Sequence, residues 1–503
     1  MNSNPQLPPI PLNLAPETDF KIAREFFASA GFDQSHLCEL MKMGDMSDLG
    51  NVHWDKLDRT KFSPALWACA EVFLRGERLS EADLQRVWNE SVLNSFRSLG
   101  LVCNSRKAPN ELLCPVWLYP VEGSLIVSDR PNELETELRS AAEDVVFPGI
   151  YLGTLRFLRL LPDAHGAEAL DLCGGSGIGA LLLARQASKS ATADVTARSA
   201  FFAEFNGRLN GVPIESLCGD LYAPTRGRQF DVITAHPPFV PATGKTMIYR
   251  DAGATGEDVT RGVIANLPDH LRPGGTCMVL CVACDTFEAP LEKRVWDWLG
   301  EKRNEFDVLY GFEKALTVEG VVAAMTKRGQ NVPPEEARNL MERLRSAGTR
   351  QFVYGALFIR RLSTPTAPPP LRFGMGPLAT AAEFERLFAW RRWSSRQNLN
   401  GSVAELKPKL RKGVELNVRH LTVDDELVPV EFVFSIENEL RAAFRPDTWV
   451  VPLLAEFNGK RSIREVFSNF QTRGELPEGF DLNAFGGLIK RMIEKGFFEV
   501  DPG

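Results

Sequence analysis

The feature that most constrains this chain is the run Asp171-Leu-Cys173-Gly174-Gly175-Ser-Gly177-Ile-Gly179, which follows the apolar residues Ala169-Leu170 and leads into an apolar stretch from Gly179 to Ala187. Glycines there let the backbone turn sharply and approach a ligand, and the helix that follows offers its N-terminus to a carboxylate or phosphate. The pattern repeats. Ser190 to Val195 reads as a strand, Arg198 to Leu209 as a helix, Phe230 to Thr234 as a buried strand, and Val259 to Leu271 as a helix. Thr276 to Val282, Val308 to Gly311 and Phe352 to Arg360 supply further strands. That rhythm predicts an α/β fold with a parallel sheet and helices on both faces, Rossmann-like and seven-stranded.

A glycine-rich loop alone also suits a dinucleotide. Two details favour S-adenosylmethionine (SAM). Asp171 stands at the strand end just before the glycines, where it can meet a cationic or amino group. Asp194 ends the next strand beside Val195, where it can accept from ribose hydroxyls. Cys218-Gly-Asp220-Leu221 ends the third strand. A carboxylate there suits the adenine amino group and the following N–H a ring nitrogen. Helix capping or a surface turn is the alternative for each acid.

The second constraint is Phe230-Asp-Val-Ile-Thr-Ala-His236-Pro237-Pro238-Phe239. A buried strand runs into two prolines, which fix φ and remove donors, and the residue before them is held extended. Carbonyls at such a corner point in fixed directions and can accept an N–H from a planar amine or amide. Phe239 can stack on a flat acceptor.

With these residues in place the chain resembles the SAM-dependent amino-methyltransferases whose motif is Asp-x-x-x-x-(Asn/Asp/Ser)-Pro-Pro-(Tyr/Phe). Among them are the release-factor glutamine N5-, small-subunit rRNA guanine N2- and adenine N6-methyltransferases. Tyr249-Arg-Asp-Ala-Gly253, Gly256-Glu257 and Leu271-Arg-Pro-Gly-Gly275 fit the same group, and the resemblance covers about residues 145–285. It implies that Asp171, Cys173, Gly174, Gly175 and Gly177 hold the methionine part. Asp194 and Val195 then take the ribose, Asp220 and Leu221 the adenine, and His236 to Phe239 orient the acceptor. Pro148-Gly-Ile-Tyr-Leu-Gly-Thr154 resembles the mouth of the cofactor pocket. One residue departs: His236 stands where the family has Asn, Asp or Ser. Imidazole can orient an acceptor, act as a general base, or only pack at the turn. The acceptor is expected to be a peptide, protein side chain or small natural-product metabolite. An O-methyltransferase with His236 as base, a nucleobase N-methyltransferase, and a non-catalytic SAM-binding scaffold are the other readings.

Composition bounds the rest. A chain of 503 residues exceeds one core. Pattern breaks divide it into an N-terminal helical or winged-helix-like domain (1–138), a methyltransferase domain (139–362), a Pro-rich linker (363–372) and a C-terminal α+β winged-helix-like domain (373–503). A net charge of −7 weighs against nucleic acid as partner. No run of uncharged apolar residues is long enough to span a membrane. The nine cysteines are scattered, and Cys281-Val-Ala-Cys284 has neither a second pair nor a nearby His, so a metal site is not expected and a reducing cytoplasm fits. Met1 to Pro9 reads as a leader without signal-peptide character. Leu316 to Ala347 is a charged helical insertion that can cover the substrate side. The C-terminal Leu453 to Phe467 with Leu488 to Phe498 resembles small winged-helix peptide-binding modules of peptide natural-product pathways. Phe384, Phe388, Trp390 and Trp393 form an aromatic run suited to a core or, less simply, to a cleft. Oligomerisation is left open.

Overall fold

Proline, glycine and capping residues cut the N-terminal chain into short helices. Glu17–Ala30 (α1) ends at Gly31, whose φ of 73° is left-handed, and Gln34–Met41 (α2) is capped by Asp33. Pro64–Cys69 (α3) starts on Ser63 and runs on as a π-helical turn to Arg75. Leu79–Ser80 (β1), Glu81–Val87 (α4), Glu90–Leu99 (α5), Cys103–Asn104 (β2) and Glu111–Leu113 (β3) follow. The three strands pair antiparallel in the order β1-β3-β2. Their helices close on an aromatic core in which Phe73 and Trp88 stack at 5.7 Å and Phe27 and Phe96 at 5.2 Å. The apolar run Leu112 to Tyr119 divides between two strands. Pro115 withholds an N–H from any ladder, so Trp117–Val121 (β4) starts afresh and pairs instead with Ser124–Ser128 (β5).

The computed structural model describes residues 10–130, 144–241, 252–327, 333–396 and 403–500. The leader Met1 to Pro9 therefore lies outside the described residues. The chain divides into two compact units, Met1–Cys284 with Val318–Thr349, and Asp285–Thr317 with Arg350–Gly503.

In the first unit, Leu152–Arg159 (α6) precedes Glu168–Leu172 (β6), Ile178–Leu183 (α7), Lys189–Asp194 (β7), Ala197–Leu209 (α8), Glu215–Cys218 (β8) and Phe230–Ala235 (β9). Asp258–Ala265 (α9), Leu267–His270 (α10) and Leu271–Thr286 (β10) complete the series. The helix expected over Val259 to Leu271 breaks because Pro268 starts a new turn after Asn266. Strands lie in the order β10-β9-β6-β7-β8, each parallel to its neighbours. The chain builds outward from β6 through β7 to β8, then returns to β9 on the other side. That reversal makes the carboxyl ends of β6 and β9 the switch point of the sheet, the place where open α/β sheets bind ligands. The insertion forms two helices, Val318–Lys327 and Pro334–Ser346.

The second unit departs from the expected parallel rhythm. Phe306–Leu316 pairs antiparallel with Thr349–Arg361 and parallel with Leu371–Met375, which pairs antiparallel with Leu440–Phe444. Residues 373–440 carry the helix Ala381–Arg396 and a long hairpin, Glu415–Val423 with Glu426–Ile436. Phe384, Phe388 and Trp390 are buried, and Phe384 stacks on Phe358 at 3.8 Å, so these three form core. Three helices, Val450–Ala455, Ile463–Arg473 and Leu482–Glu494, end the unit with the short strand Phe498–Glu499. A capping box starts the second of these: Ser462 N–H donates to Glu465 Oε2 (2.7 Å) and Glu465 N–H to Ser462 Oγ (3.1 Å). Among the described residues no helix is long and apolar enough to cross a membrane.

Candidate functional site

The glycine loop leaves β6 through residues that only a close-packed turn requires. Cys173 has φ 57°, Gly175 φ 53° and Gly177 φ 77°. A methyl group on Gly174 would stand 1.8 Å from Thr192 Oγ1, and one on Gly177 2.7 Å from the Ala203 methyl. The first glycine lets the loop lie on β7 and the second lets α7 lie on α8. Gly177 N–H closes the turn onto Gly174 O at 2.8 Å.

Asp194, at the end of β7, organises this loop. Its Oδ2 accepts from Gly175 N–H (3.0 Å) and its Oδ1 from Thr196 N–H (3.1 Å). Each oxygen keeps acceptor capacity. Val195 beside it is 52% exposed. Asp220 is exposed beyond the end of β8, and Leu221 next to it has φ 45°. Thr154 lies partly buried on α6. The predicted residues around Asp194 and Asp220 thus share the carboxyl rim of β6, β7 and β8, because Asp194 and Cys218 are register partners.

Asp171 stands apart from them. It is 2% exposed. Thr234 Oγ1 donates to its Oδ1 at 2.7 Å, Ala180 N–H donates to the carboxylate, and a methyl on Gly179 would come within 2.4 Å of Oδ2. The carboxyl therefore braces β6 against β9 and α7. Burial pushes its pKa up to about 7, against the opposing pull of Thr234 and Ala180.

His236 caps β9. Its ring lies nearly parallel to Phe157 at 5.4 Å and faces Phe239 at 6.4 Å. Gly153 closes a further side, where a methyl would be 3.6 Å from the ring. Among the described residues its nitrogens carry no hydrogen bond. Some surface remains accessible, but the crowding of apolar groups pushes the pKa down to about 4, so the imidazole is neutral at pH 7. Pro237 is buried, while Pro238 and Phe239 are partly exposed. The corner is tied down by Ala252 N–H to Val240 O (2.9 Å) and by Glu257, which accepts from Cys284 N–H at 2.7 Å. Tyr249 to Asp251 of the downstream motif lie outside the described residues. Beside Gly153, Phe147, Tyr151 and Leu152 are 45%, 37% and 71% exposed. They give the site an apolar flank.

Sequence reasoning missed Thr234 and Phe157. Thr234 left a signal, since a hydroxyl in a buried apolar strand needs a partner. Phe157 left none, because an apolar residue on a helix reads as ordinary core. Cys281 and Cys284 are buried free thiols. No group of metal-ligating residues occurs among the described residues.

Residues 148–308 match the methyltransferase small domain family. The release factor glutamine methyltransferase of Geobacter sulfurreducens is 28% identical over 244 residues, 43% of this chain and 84% of the relative. The ribosomal protein uL3 glutamine methyltransferase of Bradyrhizobium diazoefficiens is 30% identical over 158 residues, 26% of this chain and 49% of the relative. The ribosomal RNA small subunit methyltransferase C of Alcanivorax borkumensis is 27% identical over 155 residues, 29% of this chain and 44% of the relative.

Proposed function

We propose that this chain, a SAM-dependent methyltransferase, methylates a nitrogen of a peptide or protein acceptor held at the His236 corner. One observation carries the reading: a neutral imidazole without a hydrogen-bond partner among the described residues stands at the end of β9, one strand over from the glycine loop on β6. SAM supplies an electrophilic methyl on a sulfonium, and alignment with water excluded is what remains for the protein to provide. The glycine cradle fits it, since Gly174 and Gly177 hold the loop tight against β7 and α8 while a methyl on Gly175 would meet nothing within 4 Å, which leaves that side of the loop open. Asp194 and Asp220 have oxygens for ribose hydroxyls and an adenine amino group.

His236 orients the acceptor. A ring nitrogen with pKa about 4 is a poor base at neutral pH, but it accepts an N–H well. Accepting that bond turns the nitrogen lone pair toward the methyl; the ring does not take up the proton, which stays on the methylated nitrogen until it is lost to solvent on release. Phe239 and the flank of Phe147, Tyr151 and Leu152 take the apolar part of the acceptor and keep water out. The relatives' names speak of glutamine in release factors and in a ribosomal protein, which supports a protein nitrogen here. His236 in place of the family's Asn leaves the side chain open. The N-terminal order β1-β3-β2 and the C-terminal three helices with a strand support the reading of both as winged-helix-like modules, the C-terminal one of a peptide-binding kind.

Purified protein with methyl-labelled SAM and cell extract should label one protein or peptide band, with the mark on nitrogen by mass spectrometry. His236→Ala should lower kcat about 100-fold and change the SAM Kd less than threefold. Equal losses in both would remove His236 from the acceptor side.

A further inference from the structure

We propose that the β4–β5 hairpin, upstream of the segment matched to the methyltransferase family, is a positioning part of the site, acting through Tyr119 and Asn206. The inference rests on the reading of the glycine loop and the His236 corner as the cofactor and acceptor sites.

Tyr119 on β4 is fully buried, and its hydroxyl accepts from Gly149 N–H at 2.6 Å. Gly149 has little room to move, for a methyl there would be 3.3 Å from Ile178 at the start of α7 and 3.5 Å from the Tyr119 oxygen. Gly153, four residues on, is the residue that closes against His236. The wall beside the acceptor corner therefore hangs from β4.

Asn206 on α8 makes the second link. It is fully buried. Its Nδ2 donates to Ser176 O in the glycine loop and to Val127 O on β5, both at 2.9 Å, and its Oδ1 accepts from Val127 N–H at 2.8 Å. Both amide protons are used, and no other side chain of that size offers two donors and an acceptor in one plane. The cofactor loop is therefore tied to β5 through one amide. Asp129, just past β5, adds a third link by accepting from Val146 N–H at 2.8 Å while paired with Arg198. The hairpin's own turn is held by Arg185, which donates to Ser124 Oγ at 2.7 Å.

Tyr119 and Asn206 bond the backbone that forms the site, at Gly149 and Ser176, and are not themselves among the residues assigned to cofactor or acceptor, so they act as positioning residues with separable effects. Tyr119→Phe removes the hydroxyl that Gly149 N–H and Ser128 share and should raise amide exchange in the segment 146–157 about tenfold, with segments away from it and from β5 unchanged. Asn206→Leu, of similar volume, should weaken SAM about tenfold in calorimetry on the full chain. If Asn206→Leu does not fold, Asn206→Ser gives the same readout with less disturbance. Exchange in 146–157 unchanged in Tyr119→Phe, together with SAM affinity within twofold of the parent in the Asn206 variants, would overturn the proposal. A parent chain that ignores SAM at millimolar concentration would instead overturn the cofactor reading beneath it.

Discussion

His236 and Asp171 are moved by the same cause, loss of water, in opposite directions, because one is charged when protonated and the other when ionised. For His236 the folded pKa of about 4 lies below the usual 6.5. Its neutral form is thus favoured by folding. The stability this contributes is present above pH 6.5 and lost as pH falls toward 4. The acid limb of kcat should accordingly lie well below pH 6, and a limb near 6.5 would mean the ring is solvated in the working enzyme. For Asp171 the folded pKa of about 7 lies above the usual 3.8. Its contribution is fully present below pH 3.8 and lost as pH rises through 7. Asp171→Asn should therefore gain on the parent by up to roughly 4 kcal/mol between pH 4 and pH 8 in paired denaturant titrations. A stability difference flat with pH would show that the carboxyl is ionised throughout.

At the scale of elements, the site depends on the pairing of β6 with β9, which sets Asp171 opposite Thr234 and Leu172 opposite Ala235. That register brings the cofactor loop and the acceptor corner to the same edge. Its other requirement is the close approach of α7 to α8 at Gly177. Gly177→Ala would need a left-handed residue with a methyl 2.7 Å from Ala203, and the Ala203 backbone only 3.0 Å away leaves nowhere to shift. We expect a loss of about 2–3 kcal/mol in urea denaturation, from strain and overpacking together, with SAM binding weakened in parallel. A variant as stable as the parent would show that the helices can separate at little cost.

At the scale of the whole molecule, the second unit carries what the methyltransferase reading does not use. Along its long hairpin every residue from Glu415 to Val430 outside the turn is exposed, including Leu421 at 48% and Leu427 at 72%. Residues so exposed add little to stability, so Leu427→Asp should change it by less than about 0.5 kcal/mol. A loss above 1 kcal/mol by chemical denaturation would mean that this arm is covered in solution.

The sequence by itself determined what depends on neighbours along the chain. Glycines that need left-handed φ, prolines that end β9, and apolar runs broken by turn residues all act locally, so the α/β rhythm and the placing of most of the rim residues at strand ends were legible in the sequence. Tertiary structure decided what depends on residues far apart. The antiparallel pairing in the second unit and the hairpin over 415–436 came from partners chosen in space. So did the turn of Asp171 away from the rim onto Thr234, and the seat of His236 against Phe157. A carboxylate or an imidazole looks the same in sequence whether it faces water or a packed interior. Only the packing sets its dielectric surroundings and its hydrogen bonds, and with them its chemistry.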